Sequence, residues 1–416
     1  MTAVAPSGPE AENRTMESND EWAARAAELL PTGASTGSKR SEALYGTAEP
    51  AGPTHFVHAS GCRITTIDGN ELVDCTMALG AVAIGYGEPK ITRAVLDTVA
   101  QGTVSGLSHV LEVEVAERFC NVVPCAERVQ FLKTGAEAMS AAVRVARAYT
   151  GRDVVVGSGY FGWHDWCSAQ PGVPEGVQRD FRSVPFDDVA ALERAVDETG
   201  GELAAIAIEP VVERMPSPEW IARARALCDA HGAALIFDEM KTGFRVATGG
   251  YQQVSGVTPD LAAFGKALAN GFPLSAVCGR AELMDCLKRT WISSTLASEG
   301  SALAAAMGVL DWHESVEVCD ELARIGGEMR TLVSGALKAS GLGGISVHGI
   351  DPMWFMKFET HELEGRFVSL AAEHGALFKR GAYNFAALAH DEDALVDIEA
   401  AASNAFVAMR QEQEDA

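Results

Sequence analysis

The chain has 416 residues, of which 47% are hydrophobic and 22% charged, and a formal net charge of −24. That length is too great for one small core and predicts two domains, while the acidic balance argues against nucleic acid or an anionic membrane as partner, since both demand basic patches. The apolar runs fall far short of the ~20 residues that a membrane span needs. Nine cysteines without CxxC spacing fit free thiols in a reducing cytoplasm better than a disulfide framework or a zinc site, so no metal is expected.

The start of the chain is acidic and polar, with no basic n-region or apolar h-region, so no signal peptide is read and residues 1–20 are expected to be a disordered lead. Asp20, Glu21 and Trp22 open a helical pattern that stops before Pro31. A Gly/Ser/Thr stretch, 33–38, leads to Lys39 and Arg40. Two alternating runs, 62–67 and 71–75, flank Asp68 and Gly69 and predict a β-hairpin. Periodicity predicts helices over 90–102 and 111–120.

Beyond residue 128 short β runs alternate with helices, at 129–132, 154–156, 204–208, 234–237, 261–264 and 275–278. Such alternation predicts a mostly parallel sheet covered on both faces, with ligands at the carboxyl ends of its strands. After 312 the pattern returns to helix, then to short strands at 346–347 and 354–358, then to a terminal helix over 391–409. The expected α/β chain has a large domain at 81–312 and a smaller α+β domain assembled from 21–80 and 313–416.

The residues with chemical potential follow the β runs. Thr134, Gly135 and Ala136 open a helix with apolar positions at Met139, Ala142, Val143 and Ala146. Such a turn offers bare N–H groups to a phosphate, although most turns of this kind only cap a helix. Tyr160, Phe161, Trp163 and Trp166 crowd a Gly-flanked loop that suits either ring stacking or plain packing. Glu209 and Asp238 end successive runs, where a carboxylate is more often a cap or ion-pair partner. Lys266 sits among Phe264, Gly265, Ala267 and Leu268, and burial there would make its amine a usable nucleophile and base. An acid and an amine at neighbouring strand ends suit pyridoxal phosphate, whose aldehyde joins the amine and whose pyridine nitrogen pairs with the acid.

These pieces carry a resemblance that runs from about residue 25 to 410. F-L-K-T-G-A-E-A (131–138), G-Y-F-G-W-H-D (159–165), I-E-P-V (208–211), I-F-D-E-M-K-T-G-F-R (236–245), F-G-K-A-L-A-N-G-F-P (264–273) and S-S-T-L-A-S-E (293–299) are its motifs. The chain resembles the class III, fold type I, pyridoxal phosphate aminotransferases, in the subgroup around glutamate-1-semialdehyde aminomutase. The resemblance implies a large domain that binds pyridoxal 5'-phosphate. It implies that Lys266 is the Schiff-base lysine, Asp238 the pyridinium partner and Tyr160 the stacking ring. Gly135 and Ala136 would give N–H groups to the phosphate, with Thr134 beside them, and Glu209 would lie on the ring's 3-hydroxyl side. Thr295 matches a threonine that reaches the phosphate of the neighbouring subunit, which implies a homodimer with active sites at its interface.

Three positions depart from the family pattern. Ala136 stands for a usual Ser or Thr and loses a hydrogen bond to phosphate of roughly 1.5–3 kcal/mol. Phe161 stands for a usual His, and Cys167 for an aromatic of related sugar enzymes. The general look, including P-T-G-A-S-T-G-S-K-R (31–40), is similar to enzymes acting at the six-prime carbon in neomycin- and gentamicin-type pathways. The implied reaction is transamination between an amino donor and an oxidised aminosugar or aminoglycoside, a cationic substrate that an acidic surface would attract. The alternative on the same cofactor is an isomerase, either a six-prime epimerase or an aminomutase. Its second-face base would come from Cys167, His164 or Tyr160.

Overall fold

The computed structural model describes residues 18–415, so the expected lead lies outside the described residues up to Glu17. Ser18 already caps the first helix, Asn19–Leu29, and Glu21 reaches back to the cap N–H.

Seven strands form the central sheet, in the order Arg128–Leu132, Ser275–Gly279, Leu261–Phe264, Ala234–Asp238, Leu203–Ile208, Val154–Ser158 and Phe181–Ser183. From Leu261–Phe264 onward neighbours are parallel, whereas Ser275–Gly279 runs antiparallel to both of its neighbours. All six expected runs are strands. The seventh, Phe181–Ser183, is an edge strand of three residues, too short to leave a periodic signal.

Side chains alternate across a strand, so the buried runs feed two cores. Leu235 and Phe237 face one, together with Trp220 and Ile221 of the helix Pro218–His231. Ala234 and Ile236 face the other, with Met139, Ala142, Val143 and Ala146 of the helix Gly135–Thr150. Each buried Leu, Ile or Phe contributes roughly 1.5–3 kcal/mol by leaving water, and the strand ends inherit that rigidity. Helix limits are set locally: Ser217 caps Pro218–His231, Pro218 is its first residue, and Gly232 at φ +58° ends it.

The expected hairpin is present as Arg63–Thr66 and Glu71–Asp74, extended by an exposed strand Phe56–Ser60. Ala376–Leu377, from near the carboxyl end, pairs in parallel with Glu71–Asp74. Both ends of the chain therefore build one small sheet. A further sheet combines Ile345–Ile350, Met353–Phe358 and Asn384–Phe385. Among the described residues no helix is long and apolar enough to cross a membrane, and all nine cysteines are unbridged.

His313 packs edge-on against Phe244, with ring centres 5.2 Å apart, and its Nδ1 lies 2.9 Å from the Thr248 hydroxyl. Burial pulls its imidazole down to about 4. Below the ordinary histidine range near 6.5 the unfolded chain takes up a proton that the folded chain refuses, so stability falls as pH falls toward 4. His313→Gln removes this titration, and denaturant melts at pH 6 and 5 should show the wild type losing about 1 kcal/mol more than the variant.

Candidate active site

Asp238 is the last residue of Ala234–Asp238, opposite Ala263 of the parallel neighbour Leu261–Phe264. Lys266 follows that neighbour after Gly265, and its φ of +47° is left-handed. On the other side Leu203–Ile208 places Glu209 one residue beyond Ile208, which faces Phe237. Next comes Val154–Ser158, where the Ser158 carbonyl accepts the Glu209 N–H at 2.9 Å and the chain turns into Gly159 and Tyr160. Three adjacent parallel strands thus end in a carboxylate, a carboxylate and a lysine.

The turn 134–136 reaches the same edge from the far end of the sheet. Ser275 donates to the Thr134 carbonyl at 2.8 Å. Met240 then fills the space between this turn and the lysine: a Cβ at Gly135 would come 3.0 Å from its sulfur, and one at Gly265 2.7 Å. The aromatic loop folds over the turn from above. Gly162, at φ +97°, packs so closely on Ala136 that a Cβ there would lie 2.6 Å from the Ala136 Cβ. Gly159, at φ +135°, packs likewise on Glu209, and the Tyr160 N–H donates to Glu209 Oε2 at 3.0 Å.

Electrostatics tie the cluster together. Burial, then the nearby Glu209 carboxylate, push Asp238 above the usual carboxylate range, against the pull of the Met240 N–H and of Lys266 and Lys241. Burial, then the Lys241 ammonium, pull the Lys266 amine below its ordinary value. Cys167 lies in the field of Asp238, with its thiol pushed up to about 11, chiefly by burial.

The adjacent Glu239 serves the backbone. It is fully buried and accepts the Tyr251 N–H at 2.8 Å, the Gln252 N–H at 3.0 Å and the Thr242 hydroxyl. Gly250, at φ +82°, has no room for a Cβ against that carboxylate. Arg245, also fully buried, donates to the carbonyls of Gly80 at 2.8 Å and Ala386 at 3.0 Å, over the Phe385 ring. Lys241 pairs with Glu209. The sequence reading assigned no role to Lys241 or Arg245; the available signal was two cations inside an otherwise apolar motif that already held the acid.

Other expected residues are placed as follows. The Thr134 hydroxyl accepts the Glu137 N–H at 3.2 Å in a capping box, so its bond is made within the chain. Phe161 stacks on Trp166 at 5.8 Å and meets Phe181 edge-on, a core position rather than a gap beside the ring. Tyr160 is 73% exposed, and no other ring contacts it among the described residues. Thr295 stands apart on the exposed segment that leads to Glu299, which caps the helix Gly300–Ser315 and pairs with Lys133 at 3.2 Å.

Four features fit pyridoxal phosphate. Among the described residues, Asp238 Oδ2 and Lys266 Nζ have no hydrogen-bond partner, and neither do the N–H groups of Gly135 and Ala136, at the positive end of a 16-residue helix. An acid, an amine and an anion cradle therefore face one place from three directions.

The profile of the family described as aminotransferase class III matches residues 46–385. The chain is 32% identical over 331 residues to 3-aminobutyryl-CoA aminotransferase of Cloacimonas acidaminovorans (strain Evry), covering 77% of this chain and 80% of that one. It is 31% identical over 416 aligned positions to glutamate-1-semialdehyde 2,1-aminomutase of Syntrophobacter fumaroxidans, covering 90% and 95%. Among solved structures, a transaminase with PLP bound superposes with a TM-score of 0.85 at 25% identity, covering 95% and 98%. The FumI protein of Sphingopyxis sp. MTA144 shares the fold with a TM-score of 0.91 at 24% identity, covering 95% and 97%. With a buried acid and amine at adjoining strand ends and unpaired N–H groups beside them, the chain belongs to the class III aminotransferases and uses pyridoxal 5'-phosphate.

Proposed function

We propose that this enzyme moves an amino group to or from the six-prime carbon of an oxidised aminosugar or aminoglycoside. The observation that carries the reading is that both cations whose charges reach Lys266 are already engaged. Lys241 is bound to Glu209, and Arg245 is bound to main-chain carbonyls. Neither is left to hold the carboxylate of a small amino-acid substrate. The ring of Trp163 stands open, 73% exposed, as a sugar ring requires for stacking. A net charge of −24 favours approach of a polycation.

In this reading Gly135 and Ala136 bind the phosphate through their N–H groups, and Tyr160 orients the ring. Bound pyridoxal phosphate supplies an electron-accepting ring that disperses the charge left when a C–H bond beside the amine is broken. Asp238 would hold a proton at the ring nitrogen, and Lys266 Nζ would take the proton from the amine-bearing carbon and deliver it to the cofactor carbon on the other side of the amine nitrogen. The epimerase form of the isomerase reading needs a second base on the other face. Cys167 stays a protonated thiol near neutral pH. The Ser140 hydroxyl accepts from Trp166 Nε1 at 2.9 Å and shares a hydrogen bond of 2.7 Å with His164 Nδ1, which occupies that nitrogen. On these two counts transamination is favoured over epimerisation.

A homodimer belongs to the same proposal. Leu96, Val104, Leu107 and Val110 are exposed apolar residues around the helix Pro89–Gln101 and the start of Val110–Val122, and Trp291 is exposed on the segment carrying Thr295. The Gly300 N–H, donating to the Thr103 carbonyl at 2.8 Å, holds these stretches side by side. Such a patch suits a second copy of the chain.

Absorbance titration of the holoenzyme with amines is expected to respond to six-prime-amino aminoglycosides and not to 5-carbon amino ketones; the reverse pattern would sink the substrate reading. In D₂O without an acceptor, label uptake with inversion and no keto product would establish the isomerase instead. Lys266→Ala should abolish turnover while some cofactor stays bound, and Asp238→Asn should slow it by about 10²–10⁴, measured in single-turnover assays. Leu107→Glu should shift sedimentation toward monomer and weaken cofactor retention together. A dimer unchanged by Leu107→Glu and by Trp291→Glu would remove this patch as the interface.

A further inference from the structure

The cluster contains a second lysine, for which the mechanism above has no use. Lys241 follows the strand Ala234–Asp238 by three residues. Its Nζ lies 2.5 Å from Glu209 Oε1 and 4.3 Å from the centre of the Tyr383 ring, and both side chains of the ion pair are only 12% exposed. The other oxygen of Glu209 takes the Tyr160 N–H at 3.0 Å, and the Tyr383 hydroxyl takes the Glu213 N–H at 2.8 Å. A single ammonium thus ties together a strand end, the loop that presents Tyr160 and the segment after Ala376–Leu377.

Its charge matters as much as its position. The groups that face one another here are Asp238, Glu209, Lys241 and Lys266, with the Arg245 guanidinium, the Tyr383 hydroxyl and the Cys167 thiol around them. Burial alone would pull the Lys241 amine down, but Glu209 and then Tyr383 more than reverse this and hold it charged. Without that ammonium, Glu209 and Asp238 would be two carboxylates sharing one poorly solvated place, where one of them takes up a proton. The same ammonium repels a proton on Lys266.

We propose that Lys241 is a positioning residue for the reaction: clamped between Glu209 and Tyr383, its ammonium balances the Glu209 carboxylate and so favours the charged form of Asp238 and the uncharged form of the Lys266 amine. The proposal concerns proton placement in the cluster and holds whichever substrate the enzyme takes.

The full-length chain, freed of cofactor, is methylated with formaldehyde and cyanoborohydride across pH 6 to 10. Peptide mass spectrometry reads the modification at Lys266 alone, and its rate follows the fraction of free amine. Lys241→Met should raise the Lys266 midpoint by roughly one pH unit or more, while Glu209→Gln, which leaves the ammonium unbalanced, should lower it. Lys241→Arg should return the midpoint to within about 0.3 unit of wild type, because guanidinium keeps the charge. In the loaded enzyme, the pH midpoint of the cofactor's absorbance band should move with the first two variants and be rescued by the third. A Lys266 midpoint that ignores both substitutions, or moves the same way in both, overturns the proposal. So does failure of a folded Lys241→Arg to restore it. Should Lys241→Met not fold, Lys241→Gln takes its place: a raised midpoint supports the proposal, and an unchanged or lowered one overturns it.

Discussion

Desolvation at the carboxyl edge of the central sheet governs the chemistry of this enzyme. Asp238, Glu209, Lys241 and Lys266 are drawn out of water together, and each alone would be driven to its neutral form there. They keep useful charges because two acids face two amines within one cluster, with Glu209 and Lys241 in direct contact. The neighbours are chosen by strand register. Ile208 opposite Phe237, and Asp238 opposite Ala263, bring to one edge three strand ends whose residues are far apart in sequence. The register of these strands, buried on both faces, is therefore also what groups the charges of the site.

Backbone conformation is the second constraint, and it carries strain. Met77, Ala78 and Leu79 have φ of +43°, +51° and +59°, a left-handed turn that runs into Gly80. Three such residues cost roughly 3–6 kcal/mol. Arg245 binds the Gly80 carbonyl at the end of that turn and the Ala386 carbonyl beside it, with no carboxylate partner among the described residues. Two hydrogen bonds from a charged group, at about 1.5–3 kcal/mol each, are of matching size. Burial pulls this guanidinium down to about 10, still charged at neutral pH. The loop that carries Asp238 and Lys241 thus also braces the segment opposite, and His313 packs against Phe244 in the same loop.

Much of this order is legible in the residues, and the parts that are not share a cause. Long apolar runs with a polar end, such as 204–208 before Glu209 and 234–237 before Asp238, announce both a strand and the side chain it delivers. Phe181–Ser183 and Ala376–Leu377 leave no such trace, because two or three residues cannot display a period and tertiary pairing alone defines them. Within the aromatic loop, composition does not tell a stacking ring from a packing ring. Phe161 is buried on Trp166, while its neighbour Tyr160 stands open, and only the turn at Gly159 and Gly162 separates their directions. Lys241 escapes for another reason. A lysine between Met240 and Thr242 reads as a solvated side chain, and its partners Glu209 and Tyr383 lie far away in sequence.

The two carboxylates after Phe237 show how one dipeptide divides its work. Alternation turns Asp238 toward the face of the helix Gly135–Thr150, where its second oxygen has no partner among the described residues. Glu239 turns the other way and spends every bond on Thr242, Tyr251 and Gln252. A buried carboxylate satisfied by four donors is inert, whereas one held by a single N–H is available to a ligand. Chemical role here follows from bonding capacity left unused rather than from residue type. The same accounting separates Lys266, which has no partner, from Lys241, which has two. It also separates the free N–H groups of Gly135 and Ala136 from the Thr134 hydroxyl, whose bond is already made within the cap. Among the described residues, one acid oxygen, one amine and two amide hydrogens at this edge have no partner, as does the Ser158 hydroxyl at the neighbouring strand end, and the first four complement the ring nitrogen, the aldehyde and the phosphate of pyridoxal phosphate.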